Sequence, residues 1–190
     1  CMIFTDVDGI YTTDPRVVPE ARKLDFISND EMLELTASGA KVMMLRSIEV
    51  ARRFDVPLWV RSSFTDAPGT LIGQEEKGME QAIISGVTYA LDDAKVTIHD
   101  LPDRIGEAAR VFSALAKANI NVDVIIQNVS AEGKADISFT APEGDLQKIS
   151  TVLTALKDEL GFARFDLDTE VAKVTLVGAG MKTYPGIAAK

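Results

Sequence analysis

The 190-residue sequence predicts a mixed α/β chain in two regions, an α/β region followed by an α+β region. Hydrophobic residues make up 46% of the chain and charged residues 26%, which is typical of globular domains. Strand-like and helix-like segments alternate along the whole length, and the length allows one or two domains. In the later region, two segments carry apolar residues at helical spacing over three or four turns.

In the first region, from Cys1 to about Ile72, the expected order is strand, loop, helix, helix, strand. Ser28 and Glu31 have the spacing of a capping box, which predicts a helix from there to near Gly39. A second short helix is expected over 47–54, and a strand over 58–63.

The first four residues, Cys1-Met2-Ile3-Phe4, are expected to form a buried strand, since all four are apolar. The last six, Pro185 to Lys190, resemble the first turn of a helix. We therefore expect the chain to be an internal piece of a longer protein.

The second region follows the order strand, helix, strand, strand, helix, strand. The expected elements are strand 95–101, helix 105–118, strand 121–129, strand 135–141, helix 145–160 and strand 163–169. The apolar stripe of the first helix comprises Ile105, Ala109, Phe112, Leu115 and Ala116. That of the second comprises Leu146, Ile149, Leu153, Leu156 and Leu160. This βαββαβ order predicts a ferredoxin-like layout, with both helices on one face of an antiparallel sheet.

The charge balance narrows the classes of partner. With 20 basic and 29 acidic residues, the net charge of −9 argues against a broad surface for nucleic acid or an anionic membrane. Cys1 is the only cysteine, so an internal disulfide is excluded and a reducing cytosol is the simplest compartment. His99 is the only histidine and is interpreted as a surface or interface residue, with no metal-ligand set around it.

A polar stretch directly after the first strand is the first candidate site. It contains Thr5, Asp6, Tyr11 and Arg16, at the position where α/β sheets place their ligands. Such side chains suit a nucleotide, since arginine forms a planar fork for phosphate oxygens. Lys41 follows the next helix and adds a cation. From the pattern alone, a turn-rich connection and a solvated lysine are the favoured interpretation.

A second candidate site lies where the first strand of the βαββαβ region meets its helix, from Asp103 to Ala108. The first helical amides are unpaired and can bind a carboxylate. On the next predicted strand, Asn121, Asp123 and Gln127 face one side and could hold an ammonium group. Together these groups suit a free amino acid. The alternative, that they are ordinary cap, turn and strand-edge residues, is favoured by the pattern alone.

Eight segments carry a family resemblance: 5–16, 31–35, 39–42, 46–47, 60–64, 68–72, 127–130 and 177–182. In order and over nearly the whole chain, they resemble bacterial aspartate kinases of the lysine- and threonine-regulated type. The resemblance implies the C-terminal portion of an amino-acid-kinase fold followed by two ferredoxin-like ACT domains. It also implies phosphoryl transfer from ATP to the β-carboxylate of aspartate, the first step toward lysine, threonine and methionine, in the cytoplasm.

The resemblance also assigns site residues, with none of the family's catalytic residues in this chain. The implied ATP-binding residues are Thr5, Asp6, Tyr11, Arg16 and Lys41. The implied effector-binding residues are Asp103, Gly106, Ala108, Asn121, Val122, Asp123 and Gln127. The implied ligands are aspartate, ATP with Mg²⁺, and lysine, threonine or both as effectors, in a homo- or hetero-oligomer assembled through the ACT domains.

The domain boundaries expected from the resemblance divide the chain into five segments. They are a kinase segment over residues 1–73, a linker 74–81, a strand 82–94 lent to the second ACT domain, the first ACT domain 95–170, and the start of the second, 171–190. One departure from the family is Ala135, which stands where threonine is common beside the effector site. The family's N-terminal glycine-rich segment and aspartate-binding residues are absent, so this piece alone is expected to be inactive.

Two other functions stay open at this point. One is a non-catalytic regulatory module that binds an amino acid and keeps the kinase segment for structure only. Met79 lies where some relatives begin a separate regulatory subunit. The other is an amino-acid-kinase relative that acts on a different carboxylate or on a carbamate, which the ACT-like region makes less favoured.

Overall fold

A computed structural model describes residues 1–74, 84–129 and 133–178. The chain divides into two compact units, Cys1–Ala90 with Val174–Lys190, and Leu91–Lys173. Nearly all of the predicted linker with Met79, the turn at 131–132 and the C-terminal helical turn lie outside the described residues. None of the helices in the described ranges is both long and apolar enough to span a membrane.

The first unit is built on a four-stranded mixed sheet. Its elements are β1 (Met2–Thr5), β2 (Phe26–Ser28), α1 (Asn29–Ala37), α2 (Leu45–Arg53), β3 (Leu58–Ser62), β4 (Thr70–Gly73) and β5 (Gly86–Ala90). The strand order is β1-β3-β4-β2, with β1 parallel to β3, β3 antiparallel to β4, and β2 parallel to β4. The most buried core residues are Met32, Ile48, Val60 and Ile72.

The two helices and the strand predicted here are present, with α2 beginning two residues earlier than expected. The capping box is confirmed, since the Glu31 amide donates to Ser28 Oγ over 3.2 Å and the Ser28 amide donates to the Glu31 carboxylate over 3.1 Å. The short strands β2 and β4 were not predicted, because three or four residues are too few to display a strand alternation.

The expectation of a buried first strand is wrong. Met2 is 59% exposed and Phe4 58%, although the segment does form β1. Within the described residues β1 lies at the edge of the sheet, with β3 beside it. Apolar composition predicted the strand correctly but did not predict which faces of it would be covered.

The second unit has the predicted βαββαβ order. Its elements are β6 (Asp93–Pro102), α3 (Glu107–Lys117), β7 (Ile125–Val129), β8 (Lys134–Pro142), a 3₁₀ turn (Glu143–Asp145), α4 (Leu146–Leu160) and β9 (Arg164–Asp168). All pairings are antiparallel in the order β7-β8-β6-β9, which is the ferredoxin-like arrangement. The chain then enters β10 (Lys173–Val177), which pairs with β5.

The apolar stripe predicted for α4 is confirmed, but the one predicted for α3 is partly wrong. In α3 the buried residues are Val111 and Leu115, while Ile105 is fully exposed. Gly106 has φ +98° and caps the helix, so α3 begins at Glu107 and Ile105 lies outside it. The helix therefore turns a different face toward the core than the predicted spacing implied.

His99 lies on the sheet face opposite the helices of the second unit, between two carboxylates. Its Nδ1 is 3.1 Å from Asp136 and its Nε2 is 2.8 Å from Asp166. The Asp100 amide donates to the Asp136 carboxylate, and this hydrogen bond, together with the neighbouring imidazole, lowers the pKa of Asp136 despite an opposing effect of burial. The interpretation of His99 as a surface residue is refined, because its side chain is only 19% exposed.

Candidate functional sites

The first candidate site is the loop that follows β1. Thr5 ends the strand, and its hydroxyl donates to the neighbouring Asp6 carboxylate over 2.9 Å. The chain then returns antiparallel to itself, because the Leu24 amide donates to the Ile10 carbonyl and the Thr12 amide to the Arg22 carbonyl. These bonds give the loop a defined shape from residue 10 onward.

Tyr11 is half-buried within this loop. Its hydroxyl donates to Asp8 over 2.8 Å, and its backbone forms a bridge with Lys23. The hydrogen bond to Asp8, with smaller effects of burial and of the Asp8 charge, raises the pKa of Tyr11 above its usual value. The ring is thus fixed at one end and presents a flat surface for stacking.

Arg16 is held by its own segment. Its guanidinium donates twice to Asp14, over 3.0 and 2.9 Å, and its side chain is 84% exposed. These bonds lower the pKa of Asp14. A phosphate would therefore have to share Arg16 with Asp14 or displace that carboxylate.

Lys41 is exposed in the connection between α1 and α2. Within the described residues no hydrogen bond or ion pair joins Lys41 to Thr5, Asp6, Tyr11 or Arg16. Thr5 thus lies at the end of β1, Asp6, Tyr11 and Arg16 lie on the loop that follows it, and Lys41 lies on a separate connection.

The second candidate site is a cavity of about 330 Å³ at the start of α3. Four of the seven predicted effector residues line it, namely Asp103, Gly106, Ala108 and Gln127. Gly106 gives α3 no side-chain cap, so the first turn of the helix presents amide donors to ligands or water. The small side chain of Ala135 forms part of the wall.

The other three predicted effector residues do not line the cavity. Asn121, Val122 and Asp123 were expected on a strand but precede β7, which begins at Ile125. Val122 packs against the core, and the Asp123 carboxylate accepts a hydrogen bond from Lys173 Nζ. Strand β7 is four residues shorter than the strand predicted over 121–129, so the side-chain alternation of a strand does not extend back from Gln127 to these three residues.

Two polar cavity residues were not chosen from the sequence, Arg104 and Glu107. Both belong to the segment that suggested the site, but sequence spacing does not show which side chains of a turn face inward. Glu107 is paired with Arg110 over 3.1 Å.

Across residues 1–74, 84–129 and 133–178, no group of three acidic, histidine or cysteine side chains is arranged to hold a metal ion.

Comparison with protein families agrees with the two units. The amino acid kinase family matches residues 1–62, and the ACT domain matches residues 90–161. The aspartokinase of Mycolicibacterium smegmatis is 50% identical over 193 residues, which cover 100% of this chain and 46% of that protein. The chain thus spans about half the length of the curated relatives it matches.

Two solved structures extend the comparison. Escherichia coli aspartokinase III in complex with aspartate and ADP matches 98% of this chain and 42% of its own, with a TM-score of 0.83 and 31% identity. The regulatory subunit of aspartate kinase from Thermus thermophilus, in its ligand-free form, is 35% identical. That match covers 57% of this chain and 72% of the subunit, with a TM-score of 0.54.

Proposed function

The chain belongs to the aspartokinase family, and from that premise we propose that it forms a portion of an ATP-dependent aspartate kinase regulated by an amino acid. The observation that carries this proposal is similarity over the full length of the chain to aspartokinases, including one solved with aspartate and ADP. The reaction moves the γ-phosphoryl group of ATP to the β-carboxylate of aspartate.

This chain would supply some of the nucleotide site. Phosphoryl transfer depends mainly on positioning and on neutralising charge. Thr5 and Asp6 offer hydrogen bonds to the nucleoside, Tyr11 offers a stacking surface, and Arg16 and Lys41 are the cations for the phosphates. The loop geometry supports the first three roles, because the Tyr11–Asp8 and Thr5–Asp6 bonds hold those groups in place.

Mg²⁺ would accompany ATP, as it does in most phosphoryl transfers. Mg²⁺ is commonly held by one or two carboxylates together with the phosphates of the nucleotide. The described residues offer single carboxylates such as Asp6 but no cluster of three.

The cavity at the start of α3 is proposed to bind the effector, lysine or threonine. An amino-acid carboxylate suits the first-turn amides that follow Glu107, whose own amide donates to the Arg104 carbonyl. Asp103 and Gln127 offer acceptors for the ammonium group. The positions of Asn121, Val122 and Asp123 support a smaller role for them than the resemblance implied. They adjoin the strand that carries Gln127 without lining the cavity.

The proposed domain partition keeps the boundaries 1–73, 74–81, 82–94, 95–170 and 171–190. The pairing of β5 with β10 supports it, because these strands flank the βαββαβ unit in sequence and would both belong to a second ACT domain. We also propose a cytoplasmic location, which suits a chain with a single cysteine.

Assembly into oligomers is proposed to involve the ACT domain. Within the described residues β7 is an edge strand, and it exposes Ile125, Ile126 and Val129 by 49%, 52% and 59%. Exposed apolar strand edges favour pairing with another strand. Light scattering with and without effector tests this proposal, and a monomer under both conditions would contradict it.

The function is tested by measuring aspartyl phosphate as its hydroxamate, using the natural full-length protein and this chain separately. We expect ATP- and aspartate-dependent product from the full-length protein and none from the chain alone. Calorimetric titration with lysine and threonine completes the test. Heat of binding without any turnover would instead favour the non-catalytic regulatory module, a function that the match to the Thermus regulatory subunit keeps open.

A further inference from the structure

Thr70 is a completely buried hydroxyl residue at the first position of β4. Its oxygen accepts a hydrogen bond from the Ile10 amide over 2.8 Å and donates one to the Leu24 carbonyl over 2.5 Å. The hydroxyl thus joins the two arms of the loop after β1, and the arms are also joined by the bond from the Leu24 amide to the Ile10 carbonyl.

The main chain of Thr70 is itself firmly held. β4 is an inner strand, hydrogen-bonded to β3 on one side and β2 on the other, and Thr70 pairs with Val60. A buried threonine on an inner strand can hold the loop in one position, because neither the backbone nor the side chain of that residue has free space in which to move.

The loop approaches Thr70 closely only because residue 9 is glycine. A Cβ atom added to Gly9 would lie 2.5 Å from Thr70 Oγ1, and Gly9 has φ +155°. Residues 6–9 therefore run between two anchors, the pairing of Thr5 with Ser62 and the bond between Thr70 and Ile10. Tyr11 follows the second anchor directly.

We propose that Thr70 is a positioning residue for the nucleotide, acting through the loop from Asp6 to Tyr11. This inference rests on the proposed nucleotide site. Thr70 is too deeply buried to touch a ligand, so its hydroxyl acts by keeping Ile10 and Leu24 together. Without that hydroxyl, the buried Ile10 amide and the partly buried Leu24 carbonyl lose a partner, and the loop loses its second anchor.

The test uses the full-length protein with Thr70→Val, which keeps the shape and removes the hydroxyl, and Thr70→Ser, which keeps the hydroxyl. The matched control is Thr88→Val, at a threonine that is only 6% exposed and whose one hydroxyl contact within residues 1–74, 84–129 and 133–178 is a long 3.5 Å contact with the Ser38 carbonyl. We expect Thr70→Val to raise the KM for ATP about tenfold and leave the KM for aspartate within twofold. Thr70→Ser and Thr88→Val should stay within twofold of the parent for both substrates.

The proposal is overturned if Thr70→Val leaves the KM for ATP unchanged, if both KM values rise together, or if Thr70→Ser is as impaired as Thr70→Val. Two further measurements test the positioning role of Thr70 independently of the proposed function. They are the Kd for ADP and the hydrogen–deuterium exchange of peptides covering residues 6–12. If the parent protein bound ADP but formed no aspartyl phosphate, the proposed function would fail. A weaker Kd and faster exchange in Thr70→Val alone would still support the positioning role, and unchanged values would overturn it.

Discussion

Lys173 Nζ lies 2.9 Å from Asp93 Oδ2, which joins the last residue of the second unit to the first residue of its first strand. Both side chains are largely buried, at 15% and 16% exposure, and Lys173 also binds the more exposed Asp123. This ion pair closes the βαββαβ unit at the point where the chain enters and leaves it.

Replacing Lys173 by methionine should destabilise the second unit by about 2 kcal/mol, because the Asp93 carboxylate would stay largely buried without its partner. The measurement is thermal or urea unfolding of the full-length protein, followed in this unit by hydrogen–deuterium exchange. Asp123→Asn is the matched control, since Asp123 is 62% exposed and the loss of an exposed partner costs less than about 1 kcal/mol. Equal effects of the two variants would contradict this interpretation.

The contribution of Lys173 should depend on pH in the alkaline range. Burial alone would lower the pKa of Lys173, but its hydrogen bond to Asp123 and its ion pair with Asp93 outweigh burial and raise the pKa above the usual value. Because the folded state binds this proton more tightly, the stabilisation is complete below about pH 10.4, the unfolded pKa, and declines as the pH rises through the folded pKa. The stability difference between the parent and Lys173→Met should thus be constant from about pH 7 to 10 and shrink above that. A difference that shrank well below the unfolded pKa would refute the assignment.

The capping box of α1 gives a prediction about the first unit. Ser28→Ala should cost about 1 kcal/mol, since the amide of Glu31 loses its acceptor and the Glu31 carboxylate loses a donor. Glu34→Ala, on the exposed side of the same helix, is the control and should change stability by less than about 0.5 kcal/mol. The measurement is the denaturant midpoint of each variant. Equal midpoints for Ser28→Ala and Glu34→Ala would show that the cap does not stabilise the helix.

Gln127 and Asn128 provide a matched pair for testing the proposed effector site at the start of α3. They are adjacent, exposed residues of β7 and point to opposite faces of the sheet, but only Gln127 lines the cavity. Gln127→Ala should weaken effector binding about fivefold, the loss expected for one hydrogen bond, while Asn128→Ala should leave it unchanged. Calorimetric titration with lysine and threonine measures both, and comparable losses in the two variants would place the effector elsewhere.

Much of the architecture could be predicted from local signals. The Ser28–Glu31 spacing located the start of α1, and the repeated leucines and Ile149 located the buried side of α4. In α3 the same reasoning misplaced the buried face, because many alternating alanines leave the stripe ambiguous and the left-handed conformation of Gly106 starts the helix later than expected. The sequence also indicated the part of the cavity wall whose residues are close together in sequence, from Asp103 to Ala108.

Contacts between residues that are far apart in sequence could not be predicted. Nothing near Thr70 in sequence indicates that its hydroxyl binds Ile10 and Leu24, which lie 60 and 46 residues away. Asp123 was placed at an effector site because it was assumed to lie on the strand with Gln127. The structure instead pairs Asp123 with Lys173, 50 residues later. These contacts exist only once the sheets have formed.

By itself the sequence determined the two helices of the first unit, the ferredoxin-like order of the second unit and the polar loop after β1, since periodicity, caps and turn residues act over a few positions. The tertiary structure alone decided that Met2 and Phe4 lie exposed on an edge strand, that Thr70 anchors the loop, and that Lys173 closes the second unit. The physical reason is that the burial of a residue and its hydrogen-bond partners are set by how the strands pack together. Local sequence does not specify which distant residue a strand will meet.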